Sequence, residues 1–280
     1  MAKRVAAIND LSGLGRCSLT AAISVLSALG LQACPLPTAV LSAQTGFPGY
    51  ILRDLEQDLE SFPAHWQGLG LDFQGIYSGF LANYRQVGRV LDFLDGFGGH
   101  GVLTLVDPVL GDGGSPYAFC TPELTGQMAK LAARADILTP NLTEAYLLTG
   151  KAYHKNAGVE SAKILARQLQ DMGAKNVVVT GVPDGEFLCN VVRAGADDFV
   201  LRSRRQPGSF SGTGDLFASV VCGACLQGCT VEQAAALAVK FLTAALADTP
   251  PAADTRQGVE FEQNLYILTE EAKKWRRSSV

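Results

Sequence analysis

The chain is short of the residues that much side-chain chemistry relies on. It has three histidines, His65, His100 and His154, and no G-x-S-x-G elbow, which argues against a hydrolytic triad. It has no long apolar run near its start. MAKRVAAIND carries a four-residue apolar stretch before Asn9 and Asp10, too short for a signal peptide or a membrane span. No membrane partner and a cytoplasmic location are therefore expected. Basic runs are missing apart from the tail WRRSSV (275–280), expected to end a solvated helix, and the net charge is −4. A nucleic-acid partner is not expected from such a balance. The seven cysteines are odd in number and scattered, which argues against a disulfide framework and fits a reducing compartment. Cys222, Cys225 and Cys229 fall on one face of an expected helix and are read as small hydrophobes, not metal ligands. The loop SGLGRCS (12–18) lacks the third glycine of a dinucleotide fingerprint and the lysine of a Walker A loop.

What is present is apolar material in alternation. With 48% hydrophobic residues over 280 positions, the chain can bury one large core, and a single domain over 1–280 is expected. Expected strands are 4–8, 32–41 (whose two prolines exclude a helix), 75–80, 102–110, 135–140 and 176–181. Expected helices are 17–30, 54–62, 84–97, one before 135, a short one after 140, 158–172, and most of the chain from 213 onward. Thr230 and Gln233 form a capping box. EFLCNVVRAG and DFVLRSRRQ read as a hairpin at one sheet edge. The pattern predicts three layers, α/β/α, around a mainly parallel sheet. Polar clusters recur at the carboxyl ends of the strands, where such folds bind ligands: Asn9 to Gly13, Asp107 to Gly114, Asn141 to Glu144, and Thr180-Gly181.

One stretch asks for an explanation. In SFSGTGDLFASVV, Asp215 stands between a glycine turn and an apolar helix. Unpartnered N–H groups at a helix start bind anions, and a carboxylate beside them could take a proton from an attacking hydroxyl during phosphoryl transfer. A simple helix cap by Thr213 or Asp215 explains the tetrapeptide equally well.

GTGD (212–215), DPVLGDGGSPY (107–117), TPNLTEAYLLTG (139–150), AINDLSGLGRCSLTAA and AVLSAQTG occur together and in order. In this the chain resembles the ribokinase-like superfamily, and within it the vitamin B6 kinases. The resemblance implies a ribokinase-like fold and ATP-dependent phosphorylation of the 5′-hydroxymethyl group of a B6 vitamer by a homodimer. It implies Asp215 as the base, with Gly212, Thr213 and Gly214 as an anion hole. Asp112, Tyr117, Asn141, Glu144, Thr180, Gly181 and Thr213 would hold ATP. Glu144 and Asp107 would hold Mg²⁺, with a monovalent cation as a further possible cofactor. Asp10, Gln44, Thr45, Phe80 and Asp215 would face the substrate. Two positions depart from the B6 pattern: Asp10 stands where Ser is common, and Gln44 where His is common. Ala43-Gln44-Thr45 is similar to the hydroxymethylpyrimidine kinases of thiamin synthesis, which typically carry Cys in place of Asp215 and lack the G-D-G-G-x-x-Y loop. A non-catalytic binder of the same fold would be expected to lack Asp215 or Glu144.

Overall fold

The computed structural model describes residues 2–206 and 208–278. Its strands are β1 (Arg4–Ser12), β2 (Gln32–Leu41), β3 (Leu52–Asp54), β4 (Gly75–Ser78), β5 (Leu103–Val106), β6 (Gly111–Asp112), β7 (Ser115–Pro116), β8 (Ile137–Leu138), β9 (Asn176–Asp184), β10 (Phe187–Ala194) and β11 (Asp197–Arg204). The helices are α1 (Ser18–Ala28), α2 (Asp58–Gly68), α3 (Tyr84–Phe97), α4 (Pro122–Ala132), α5 (Leu142–Leu148), α6 (Val159–Asp171), α7 (Thr213–Leu226), α8 (Val231–Asp248) and α9 (Leu265–Ser278). Of the tail WRRSSV, the side chains from Arg276 onward and the last two residues lie outside the described residues.

Nine strands form one sheet in the order β11-β10-β9-β8-β5-β4-β1-β2-β3. The interior pairs β1–β2, β1–β4, β4–β5, β5–β8 and β8–β9 are parallel. The edges are antiparallel: the expected hairpin β10–β11 closes one side and β3 the other. Apolar residues alternate across β1, so Ala6 and Ile8 face one core and Val5 and Ala7 the other. The first core packs α2 to α6 through Leu59, Val90, Met128, Tyr146 and Leu165. The second packs α1, α7, α8 and α9 through Leu26, Val220, Phe241 and Leu268. The expected three-layer α/β/α architecture is therefore present.

Three elements depart from expectation. Residues 54–57 were expected as helix, but Asp54 ends β3 and its carboxylate accepts from Glu56 N, Gln86 Nε2 and Asn83 Nδ2. That local turn delays α2 to Asp58. The strand expected over 102–110 stops at Val106, because Pro108 follows and the chain turns into the small hairpin β6–β7. The expected helical run beyond 213 breaks at Thr249. Pro250 and Pro251 follow, and the chain reaches α9 through two short 3₁₀ turns.

The sheet reverses its direction of growth between β1 and β4. β2 lies to one side of β1, and β4, β5, β8 and β9 follow in turn on the other. That reversal opens a crevice at the carboxyl ends of β1 and β4.

The Thr230 box, with Thr230 Oγ1 accepting from Gln233 N and Gln233 Oε1 from Thr230 N, starts α8 far from this crevice. Thr230→Ala is expected to lower stability by about 1 kcal/mol and to leave turnover unchanged, as thermal denaturation and a steady-state assay would register.

Candidate active site

α7 begins at the crevice. Its N-cap, Gly212, has φ 79°, and a Cβ there would lie 2.1 Å from the carbonyl oxygen of Arg16. A glycine is required on both counts. The first-turn N–H groups of Thr213, Gly214 and Asp215 have no partner within the helix. Thr213 Oγ1 donates back to the Phe210 carbonyl, so the hydroxyl fastens the turn.

Asp215 sits partly covered on the first turn of α7. Its Oδ1 accepts from Asn9 Nδ2 at 3.0 Å. Burial raises its pKa to about 6; the Ser18 N–H opposes this, Asp10 adds to it, and the Asn9 amide and Tyr77 hydroxyl oppose it again. Ser18 opens α1 and is the one non-glycine residue with positive φ (52°) among the described residues. Such a conformation costs about 1–2 kcal/mol. Here it lets one residue serve two carboxylates: the Ser18 N–H favours ionised Asp215, and its hydroxyl favours ionised Asp10.

Two further carboxylates lie buried beside the α7 start. Asp107 directly follows β5, and a Cβ on Gly214 would be 3.8 Å from its Oδ2. Burial raises its pKa to about 8 and the Asp215 charge adds to this, while the Thr139 hydroxyl, 3.3 Å from Oδ1, opposes it. Glu144 closes a capping box at the start of α5, accepting from Asn141 N at 2.8 Å and Leu110 N at 3.1 Å. Burial, then Asp107, pushes its pKa well above the usual carboxylate range. For each of the three the main causes are burial and a neighbouring acid, opposed by hydrogen-bond donors. The donor set is hard oxygen only, and no cluster of three such side chains is close enough to enclose a metal among the described residues. It fits a Mg²⁺ that takes most of its ligands from water and phosphate.

The residues expected to hold a nucleotide border these acids. Asn141 Oδ1 caps α5, and its Nδ2 donates to the Gly111 carbonyl at 2.7 Å. Thr143 Oγ1 accepts from Gly114 N, so α5 anchors both ends of the β6–β7 turn. Asp112 is exposed at that turn and accepts from Gly113 N. Tyr117 is exposed where the turn ends; burial of its phenol, then Glu144 and Asp112, raises its pKa. Thr180 bridges to Asn141 midway along β9, which runs three residues past the expected end at 181, and Gly181 (φ 69°) leaves open space beside it.

On the other flank, Asp10 is buried, accepts from Ser12 Oγ at 2.9 Å, and has a pKa raised by burial. Phe80 is 7% exposed and meets Phe119 edge-on at 4.9 Å; Phe119 in turn stacks on Tyr117 at 5.6 Å. Thr45 lies exposed in the turn after β2. Gln44 is buried with both amide ends engaged, Nε2 on the Arg256 carbonyl and Oε1 on Gly46 N. Its amide supports the 254–258 loop in this structure. Asp215, Asp10, Asp107, Glu144 and Phe80 thus gather at one crevice. Asn9, Ser18 and Phe119 join them without any sequence signal beyond the position of Asn9 at the end of a strand.

Residues 19–260 match the profile of the phosphomethylpyrimidine kinase family. The chain belongs to this family. It is 31% identical to the hydroxymethylpyrimidine/phosphomethylpyrimidine kinase of Haemophilus influenzae over 67% of its own length and 71% of the relative's. Its fold is similar to that of a candidate phosphomethylpyrimidine kinase of Bacteroides thetaiotaomicron crystallised with pyridoxal, at TM-score 0.91, 36% identity and 96% coverage of each chain. It is also similar to the pyridoxal kinase of Lactobacillus plantarum, at TM-score 0.89 and 30% identity, covering 98% of this chain and 99% of that one. The protein is an ATP-dependent small-molecule kinase with the ribokinase-like fold. No helix of this kinase is long and apolar enough to cross a membrane, among the described residues.

The buried acids make its stability depend on pH. Folding raises Asp107 from an ordinary 3.8 to about 8. The folded state then binds the proton more tightly than the unfolded chain, so stability falls as pH rises across that window and levels off above it. Asp107→Asn removes this loss. In the ligand-free kinase its melting temperature is expected to exceed wild type by a margin that widens from about pH 4 to about pH 8, readable by scanning fluorimetry. A constant margin would contradict the assignment.

Proposed function

We propose that the protein transfers the γ-phosphoryl group of ATP to the 5′-hydroxymethyl group of a vitamin B6 vitamer: pyridoxal, pyridoxamine or pyridoxine. The product from pyridoxal is pyridoxal 5′-phosphate. The observation that carries this reading is the seat of Asp215. It lies between the N-terminal turns of α7 and α1, with buried Asp107 on one side and, through Asn9, Phe80 on the other. The aspartate also favours a B6 kinase over a hydroxymethylpyrimidine kinase, which typically has Cys there, as does the G-D-G-G-x-x-Y hairpin. The pyridoxal-bound relative gives further support. Hydroxymethylpyrimidine phosphorylation stands as the second reading, favoured by the relative in Haemophilus influenzae.

The residues divide the work as follows. Asp10 and Phe80 hold the flat ring, with Thr45 and the Gln44 loop at its rim. Asn141, Thr180, Gly181, Asp112 and Tyr117 hold the nucleotide. Asp107 and Glu144 would hold Mg²⁺, which when bound neutralises phosphate charge. Asp215 orients the hydroxyl toward the γ-phosphate and accepts its proton late, because a loose transition state needs little proton transfer before bonding to phosphorus is advanced. The Gly212–Gly214 amides stabilise the transferred charge. One sheet running from β11 to β3 supports a single domain over the whole chain. Exposed Leu11, Leu14, Val40 and Ile51 near the β3 edge support a homodimer.

A steady-state panel of the three vitamers and hydroxymethylpyrimidine with Mg-ATP tests the substrate. A B6 vitamer is expected to have the highest kcat/KM, and preference for the pyrimidine would replace the first reading with the second. Asp215→Asn tests the base. It keeps size and capping ability but loses the proton acceptor, so kcat is expected to fall about 10²–10⁴-fold with ATP affinity little changed. In wild type the acid limb of kcat/KM should lie near pH 6, with turnover lost below it as Asp215 protonates. A near-normal kcat in Asp215→Asn would reduce Asp215 to a helix cap.

A further inference from the structure

Asn9 is fully buried in the second half of β1 and makes three hydrogen bonds that together allow only one orientation of its amide. Its Oδ1 accepts from Asp10 N at 2.9 Å and from Phe80 N at 2.8 Å. Two backbone donors converge on that atom, so it must be the oxygen. The NH₂ group is then forced to the opposite side, where it donates to Asp215 Oδ1 at 3.0 Å. The seat is tight: a Cβ on Gly79 would lie 2.3 Å from Asn9 Nδ2. The three partners come from three elements, β1, the segment after β4, and α7, and they meet at the crevice where the sheet reverses.

We propose that Asn9 is the positioning residue that aims Asp215 and locks it in register with the ring pocket. The inference rests on Asp215 being the base, as proposed above. An amide suits the task because it donates to the carboxylate without competing for the proton the base must accept. It donates to Oδ1 and does not compete for Oδ2, the atom assigned to the substrate hydroxyl. The same side chain fixes the backbone of Asp10 and Phe80, the two residues assigned to the ring. The distance between base and ring is thereby set through one rigid group, where a misplacement of about 1 Å can cost on the order of 10²-fold in rate.

Two substitutions separate aiming from packing. Asn9→Asp keeps an oxygen for both backbone N–H groups but replaces the donor facing Asp215 with a second oxygen. Asn9→Leu removes both functions. For Asn9→Asp, kcat is expected to fall about 30-fold or more with the KM of the ring alcohol within about twofold of wild type, as for a group acting on the transition state alone. For Asn9→Leu, kcat should fall and the ring KM should rise. Melting temperatures are recorded alongside. If Asn9→Asp does not fold, Gly79→Ala decides the matter. Its methyl group would meet the whole Asn9 amide, 2.3 Å from Nδ2 and 2.8 Å from Oδ1, so kcat is expected to fall and the ring KM to rise, as for Asn9→Leu. A kcat within about twofold of wild type in the folded variant would overturn the proposal. So would an Asn9→Asp variant whose kcat, KM and melting temperature change together as in Asn9→Leu. Asp215→Asn run in parallel keeps the two claims apart. A near-normal kcat there removes the base itself, whereas collapse there with a normal Asn9→Asp removes the role of Asn9 alone.

Discussion

Like charge is concentrated at one edge of the sheet. Asp10, Asp107, Glu144 and Asp215 are gathered where burial raises each pKa, and a neighbouring acid raises the last three further. Such an arrangement disfavours the free protein and favours any ligand that brings cations and hydrogen-bond donors with it. The rest of the fold makes the arrangement tolerable. Backbone N–H groups from two helix starts and from the β5–β6 turn point at these carboxylates. A nine-stranded sheet, packed on both faces, holds the strand ends that carry Asp10 and Asp107. Glycine at 212 and 79 lets the chain come close enough for α7 and Asn9 to reach the centre.

The crevice is asymmetric in a way that suits transfer between two small molecules. The α5 side is polar and carries a hairpin tied down by Asn141 and Thr143. The β1–β4 side is apolar and aromatic, floored by Phe80. Asp215 stands between them. Phe119 links the two sides, since it contacts Phe80 at one face and Tyr117, at the end of the hairpin, at the other.

Much of this was legible in the sequence. The prolines of 32–41 indicated an extended segment, and β2 carries them where β3 pairs only with Ala39–Leu41, leaving the proline positions without a partner on that side. The α3 span and the β10–β11 edge hairpin follow from periodicity. GTGD and PNLTE pointed to α7 and α5 because a helix start concentrates its chemistry within four residues. What was hidden depends on contacts between distant segments. Asn9 acquires its role only once β1 lies beside β4 and beneath α7. Ser18 acquires its role from a positive φ that no residue type announces. Gln44 was expected to face the substrate; its amide meets Gly46 two residues on and Arg256 more than two hundred residues away. The short strand β3 escaped because a three-residue element has no period to read.

The central claim is that the Asp215 carboxylate meets the substrate hydroxyl while the Gly212–Gly214 amides face the transferred phosphoryl group. The most direct measurement is a crystal structure of the protein with pyridoxal and a non-hydrolysable ATP analogue. The account predicts Asp215 Oδ2 at hydrogen-bond distance, about 2.6–3.2 Å, from the 5′-hydroxyl. It also predicts that hydroxyl in line with the γ-phosphorus, and Asn9 still on Oδ1. A ring bound with its hydroxymethyl group turned away from Asp215, or a γ-phosphate held away from the start of α7, would contradict it.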